Sequence, residues 1–446
     1  MKIRIGKKLG VLLNRLFLVY LAFLIVGCTT TNKVFFTKKS PHQQYSNKIE
    51  NAGLNSSALG KMWLAAAEKG IQNPQSISLP YREINYYPAE QPRSSSYSFN
   101  LLKGEKLTIL LTANPNKEFL IFADLWFRKE VNNTPLLLMS ADTSLNKMEY
   151  EVEENGSYIL RIQPELLKSG SCIVDISTTP SLAFPVPSGN KANVISVWGD
   201  DRDGGVRRHE GIDISGKLRT PLVAIANGII TRVREDKIGG KIVMMRPERK
   251  NFNIYYAHLD EQLVKEGQSV NVGDTIGLMG NTGNASKGSP HLHFGIYTNV
   301  GAVNPLPYVN PNNTKTAAIV APLQALNKYI SNTKATNVYN DASIKSAIIE
   351  KLSSNTPLLV TSAHDSWYKV VLPNNKEVYI PFKETKIITA AINTYKSLKE
   401  TILLEEANEM SSGKKLIPLS SLLNVYGSYG NFNLVEVDGL KGWVKK

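Results

Sequence analysis

The sequence predicts a mainly β, multidomain protein. Three observations carry this reading. At 446 residues the chain is too long for one hydrophobic core. From about residue 80 onward, short strand-like runs alternate with turn residues, and long helical patterns are absent. After residue 335 a pattern of strand, loop and tryptophan-bearing strand occurs twice. Apolar content of 42% and charged content of 20% are ordinary for globular protein and exclude a wholly disordered chain.

The first 27 residues carry Lys2, Arg4, Lys7, Lys8 and Arg15 and no acid. An apolar run of a dozen residues, Leu16 to Gly27, follows. That length suits a secretory signal peptide; a spanning helix needs about 20 apolar residues. The run ends in Leu24-Ile25-Val26-Gly27-Cys28, which resembles the lipobox of bacterial lipoproteins. The resemblance implies cleavage before Cys28 and lipid on its sulfur, which anchors the chain to a membrane. An uncleaved anchor with an incidental cysteine is the alternative. No Asp or Glu directly follows Cys28. This fits an outer-membrane location facing the periplasm, with the cell surface as the alternative.

The net charge is +14, and subtracting the five basic residues of the leader leaves about +9. The excess serves solubility or an anionic partner, and no nucleic-acid motif accompanies it. Cys172 is the only other cysteine, so a lipidated Cys28 leaves no disulfide framework. Its apolar setting, Cys172-Ile173-Val174, predicts a buried thiol.

Residues 28–56 are polar and poor in pattern and read as a tether. Residues 57–70 read as a helix with Leu59, Met62, Trp63 and Ala66 on its packing face. With residues up to 182 they form a helix plus a β-sandwich. Tyr97-Ser98-Phe99, Leu107-Thr108-Ile109-Leu110-Leu111, Phe119-Leu120-Ile121-Phe122 and Tyr158-Ile159-Leu160-Arg161-Ile162 supply its strands. This resembles the sandwich modules found beside secreted peptidases, as a spacer or binding accessory. Residues 185–308 are β-rich, 309–334 read as a linker, and 335–388 and 395–446 are two small β modules. Both resemble bacterial SH3-like barrels, often cell-wall binding. Trp367 and Trp443 serve either core packing or ligand contact there.

Four of the six histidines fall between 209 and 293. His291-Leu292-His293 reads as a strand, so both imidazoles share a face while Leu292 enters a core. His209 and Asp213 would lie about 13 Å apart in a straight strand. A shared ion therefore requires a bend at Gly211. His258 ends the strand-like run Ile254-Tyr255-Tyr256-Ala257. Taken singly, each residue has an ordinary reading: a turn cap, a loop histidine, a rim histidine.

Together they resemble the lysostaphin-type (LytM-like) zinc endopeptidases. The motif pair His209-x-x-x-Asp213 and His291-x-His293, with His258 between, stands in the family's order. Thr220-Pro221-Leu222-Val223-Ala224 with Gly228, the Gly267/Val270/Gly273/Gly277 spacing, and Gly280-Asn281-Thr282-Gly283 before Pro290 support it. The resemblance covers about 120 residues, and no position departs from the pattern. It implies His209, Asp213 and His293 as ligands of Zn2+, with His258 and His291 as catalytic histidines. Two histidines and a carboxylate leave a fourth position for water, the mark of a catalytic zinc site.

The resemblance thus implies a lipid-anchored endopeptidase acting on peptidoglycan stem peptides in wall remodelling. The alternatives are a non-catalytic wall-binding or amidase-activating relative, and an adhesion lipoprotein with structural zinc. Glu210 sits inside the motif, but strand alternation points it away from the metal. Arg202, Arg207 and Arg208 lie just upstream and either attract acidic stem peptides or form a solvated loop. Which of His258 and His291 is the base, which bond is cut and the oligomeric state stay open at this level.

Overall fold

The computed structural model describes residues 39–446 apart from 116–118, 130–133, 142–146 and 313. The expectations for the leader and Cys28 lie outside the described residues. Among the described residues, no helix is long and apolar enough to cross a membrane.

The tether reading is corrected at residues 41–51. Helix α1, Pro41–Asn51, begins with a capping box in which Ser40 Oγ accepts from Gln43 N and Gln43 Oε1 accepts from Ser40 N. Pro41, at the first helical position, needs no hydrogen bond for its nitrogen. Polar composition hid this helix because it buries only His42 and Ile49. Helix α2, Ala58–Gln72, is capped by Ser57. Its buried face is Gly60, Trp63, Ala67 and Gly70, while Met62, expected inside, is exposed. Trp63 is the hub: it stacks on the His42 ring at 4.6 Å, and its Nε1 donates to Pro164 O at 2.8 Å. These contacts fix both helices to the sheet behind them.

Two sheets enclose the core that follows. One has five strands, in the order Gln75–Ser76, Ser95–Leu101, Gly156–Pro164, Ile121–Arg128, Pro135–Ser140. The facing sheet contains Tyr81–Tyr87, Gly170–Pro180, Glu105–Asn114 and Lys147–Glu151. Along Gly170–Pro180 the buried residues include Cys172, Val174 and Ile176, a period of two that places one face in the core. Cys172 is a fully buried thiol in that core.

The facing sheet does not stop at the sandwich. Strand Tyr81–Tyr87 pairs on its other edge with Pro357–His364, with Ile84 opposite Ala363 and Asn85 opposite Ser362. The result is one sheet of 11 strands running into residues 329–387. The seam is specific. Ser362 Oγ donates to Asn85 Oδ1 at 2.8 Å, and the His364 ring stacks on Tyr81 at 4.4 Å. The linker reading of 309–334 also changes, because Tyr329–Asn332 is a strand pairing with Pro357–His364 and Thr385–Ile387. Long-range pairing of this kind leaves no local signature.

The histidine-rich region forms a ten-stranded antiparallel sheet. Its path runs Asn193–Ser196, Ile212–Ser215, His291–Thr298, Phe252–Gln262, Gly240–Pro247, Gly228–Asp236, Ser269–Val270. Ile212, Ile214, Leu292, Phe294, Ile254 and Tyr256 fill the core beneath it. The last sheet, six strands within residues 393–445, encloses Leu403, Ile417 and Val435. Trp367 and Trp443 are both buried, so they pack rather than present an open aromatic face.

Candidate metal centre

The site follows from strand alternation. Because Ile212, Ile214 and Leu292 are buried, Asp213, His291 and His293 emerge on the opposite face. The register places Asp213 directly across from His293, which lies across from Ala257 on its other side. His209 arrives from the loop before, over a bend at Gly211. A Cβ on Gly211 would lie 2.6 Å from Phe294 O and 2.7 Å from His293 Cε1. The glycine is therefore needed for close approach to the neighbouring strand.

Three donor atoms converge. His209 Nε2 is 3.1 Å from Asp213 Oδ1, His293 Nδ1 is 3.0 Å from the same oxygen, and the two nitrogens are 3.0 Å apart. Bonds of about 2.0–2.1 Å at tetrahedral angles would space zinc ligands by roughly 3.3 Å, so the triangle fits one face of such a polyhedron. His209 Nδ1 lies 2.9 Å from Val197 O and donates to it, which leaves the lone pair on Nε2, facing the cluster. Burial alone would raise the Asp213 pKa, but hydrogen bonds and charge from His209 and His293 outweigh it and hold the carboxyl well below the usual range. An ionised oxygen and an imidazole lone pair at this distance are the donor set a divalent cation requires.

The upstream arginines play separate parts. Arg202 Nη2 donates to Asp213 Oδ2 at 2.6 Å and to Ser196 Oγ at 2.8 Å, so it belongs to the carboxylate's support. Arg208 pairs with Asp201. Glu210 lines the cleft but is not among the converging atoms.

His258 and His291 stand beside the triad, with ring centroids 5.0 Å apart, and the His258 ring is 6.0 Å from that of His293. His258 sits where the Phe252–Gln262 strand bulges, at a φ of 65°, with its N–H donating to Gly239 O at 2.7 Å. A non-glycine residue there costs on the order of 1–3 kcal/mol, a strain concentrated at functional positions. His258 Nδ1 donates to Thr282 O at 2.9 Å, leaving Nε2 as the basic nitrogen. Burial, then the neighbouring His291 and His293, lowers its pKa to about 4, so the ring is neutral near pH 7. His291 Nδ1 is held at 2.9 Å from Ser289 O. All five residues line one cleft of about 600 Å³.

Sequence reasoning missed Tyr255 and Tyr297, which line the same cleft. Tyr297 shares the strand face of His291 and His293, a spacing visible in the sequence. The Tyr255 ring meets His293 edge-on at 6.0 Å, and burial pushes its hydroxyl up to about 12. Arg202 was seen but not its target, because only the fold brings it to Asp213.

Residues 207–305 match peptidase family M23. Over 125 residues the chain is 39% identical to an uncharacterised metalloprotease of Haemophilus influenzae, covering 27% of this chain and 26% of that protein. It is 35% identical over 127 residues to the L-Ala–D-Glu endopeptidase of Bacillus subtilis, covering 27% and 39%. It is 29% identical over 194 residues to the murein hydrolase activator NlpD of Salmonella dublin, covering 41% and 49%. The chain thus spans between a quarter and a half of the length of these relatives. With its clustered histidines and aspartate, this chain carries a peptidase family M23 domain.

Proposed function

We propose that this chain is a lipid-anchored zinc metallo-endopeptidase that hydrolyses peptide cross-links of peptidoglycan. The observation that carries the reading is the triangle of His209 Nε2, Asp213 Oδ1 and His293 Nδ1, with sides of 3.0–3.1 Å, beside the paired rings of His258 and His291. His209, Asp213 and His293 would hold the metal. Bound there, zinc acidifies water and polarises a peptide carbonyl. His258, neutral and fixed by Thr282, takes a proton on Nε2. His291, fixed by Ser289, stands beside it to stabilise developing oxyanion charge or protonate the leaving amine, and the two can exchange these roles. Tyr255 remains protonated near neutral pH and can hydrogen-bond substrate.

A wall substrate is supported by the relative named as an L-Ala–D-Glu endopeptidase. Cys28 would carry the lipid, placing the enzyme at the envelope, in the outer membrane facing the periplasm. Residues 335–388 and 395–446 would serve as SH3-like wall-binding modules. The likeness to an activator, NlpD, favours a second reading, a non-catalytic amidase activator. The complete set of ligand-type residues and both flanking histidines favour catalysis. Zymography on purified peptidoglycan tests this: clearing by the wild-type chain that stops with chelator supports the enzyme. No clearing, with stimulation of a separate amidase, supports the activator.

A further inference from the structure

The cleft that holds the histidines has two unlike flanks. The sheet beneath it runs Asn193–Ser196, Ile212–Ser215, His291–Thr298, Phe252–Gln262, Gly240–Pro247, Gly228–Asp236. The segment carrying Arg207 and Arg208 joins the first two of these strands, and the turn carrying Ile238 joins the last two. The strands that bear Asp213, His293 and His258 lie between. A peptide laid across the histidines therefore meets one connection on each side.

The first flank is basic. Asp201–Arg202 pairs with Arg207–Arg208 as a short hairpin, with Asp201 opposite Arg208. Arg202, Arg207 and Arg208 line the cleft, as do Glu210 and Asp213. Arg202 and Asp213 answer each other, which leaves two arginines against Glu210. Arg208 pairs with Asp201, but Asp201 is off the cleft wall, and the two side chains are 71% and 65% exposed. So exposed a pair is weak, and a carboxylate arriving in the cleft can exchange with Asp201. Guanidinium donors, set in a planar fork, bind a carboxylate more strongly than a neutral carboxamide.

The second flank is apolar and stiff. Ile238 is 65% exposed and lines the cleft with Ala285. An exposed isoleucine is ordinary in itself, but this one is pinned. The N–H groups of Ile238 and Gly239 donate to Asp236 Oδ1 at 3.0 and 2.7 Å. Ile238 O accepts from Asn284 N at 3.1 Å, and Gly239 O accepts from His258 N at 2.7 Å. The turn thus holds a branched apolar side chain in place next to the His258 strand.

We infer that this cleft selects a peptide bond with a free carboxylate on one side and a small apolar side chain on the other. Arg207 and Arg208 recognise the carboxylate, and Ile238 with Ala285 contacts the apolar group. The inference rests on the endopeptidase reading and narrows it. Acidic stem peptides joined directly through alanine are substrates, whereas glycine bridges, which offer neither group, are not.

The test uses the zinc-loaded full chain in detergent with three soluble stem-peptide dimers. One joins D-Ala directly to diaminopimelate with free carboxylates, the second is the same dimer with those carboxylates amidated, and the third has a glycine bridge. The acid should be cleaved with a kcat/KM at least about tenfold above the amide, mainly through KM, and the glycine bridge should stay intact. Arg207→Gln/Arg208→Gln should bring the acid-to-amide ratio to about one. Ile238→Ser should raise KM for both about threefold. If the double variant folds poorly, salt serves in its place, because the wild-type ratio should fall as ionic strength rises. Equal rates for acid and amide, cleavage of the glycine bridge at the acid's rate, or a ratio that survives the double substitution would each overturn the proposal. A wild-type chain that cuts none of the three fails the endopeptidase reading instead. Fluorescence anisotropy of the labelled acid and amide dimers then decides this inference: a preference for the acid that the double variant loses supports it, and equal binding overturns it.

Discussion

Arg202 Nη2 lies 2.6 Å from Asp213 Oδ2, while Asp213 Oδ1 faces His209 and His293 at 3.1 and 3.0 Å. The guanidinium thus occupies one carboxylate oxygen and leaves the other facing the two histidines. A carboxylate so divided offers a cation one bond, which preserves an open coordination position. Arg202→Gln should lower zinc affinity by about 10–100-fold. Competition with a chromophoric chelator measures it. Unchanged affinity would leave Arg202 as a loop residue with no bearing on the metal.

Gly211 lets the chain cross the neighbouring strand. In Gly211→Ala the new Cβ falls within 2.7 Å of the His293 ring and displaces it or His209. We expect a loss of stability of about 1–3 kcal/mol and loss of stoichiometric zinc, with the rest of the sheet intact. Metal analysis beside circular dichroism reads both. Full zinc occupancy in a stable variant would contradict the close-approach argument.

His42 gives a pH dependence with a defined sign. Burial against Trp63, reinforced by the charge of Arg161, lowers its pKa from 6.5 to about 4. The unfolded chain therefore takes up a proton below about pH 6.5 that the folded chain refuses until about pH 4. The contribution of the neutral ring is complete above pH 6.5 and declines as pH falls through that window, by on the order of 3 kcal/mol in full. Urea midpoints at pH 7.5 and 4.5 should drop more for the wild type than for His42→Gln. Equal drops would exclude His42 as the cause.

The shared sheet predicts joint unfolding of two regions far apart in sequence. Ser362→Val leaves buried Asn85 Oδ1 without its donor and should cost about 1–3 kcal/mol. The loss should appear in the sandwich as well as in residues 329–387, by hydrogen exchange on Tyr81–Tyr87 and on Pro357–His364. Protection lost from only one of the two strands would mean that the seam does not couple them.

The convergence of His209, Asp213 and His293 was legible because its determinants are local. Alternation about Leu292 puts His291 and His293 on one face, and Gly211 supplies the bend between His209 and Asp213. What escaped depends on distant partners. Helix α1 lacks an apolar stripe and is fixed by a Ser40 cap and a His42–Trp63 stack. Strand Tyr81–Tyr87 reads as any sandwich strand, and nothing in it announces a partner near residue 362. Tyr297 was within reach of the same alternation that found His293, and the intervening Gly295 obscured it.

The most direct measurement separates metal binding from proton transfer in two variants. Zinc content and released muropeptides are determined for the wild type, His209→Ala and His291→Ala. The wild type should hold one zinc and cleave, His209→Ala should lose both, and His291→Ala should keep its zinc with cleavage reduced at least about 100-fold. Cleavage that persists in metal-depleted His209→Ala would contradict the zinc mechanism.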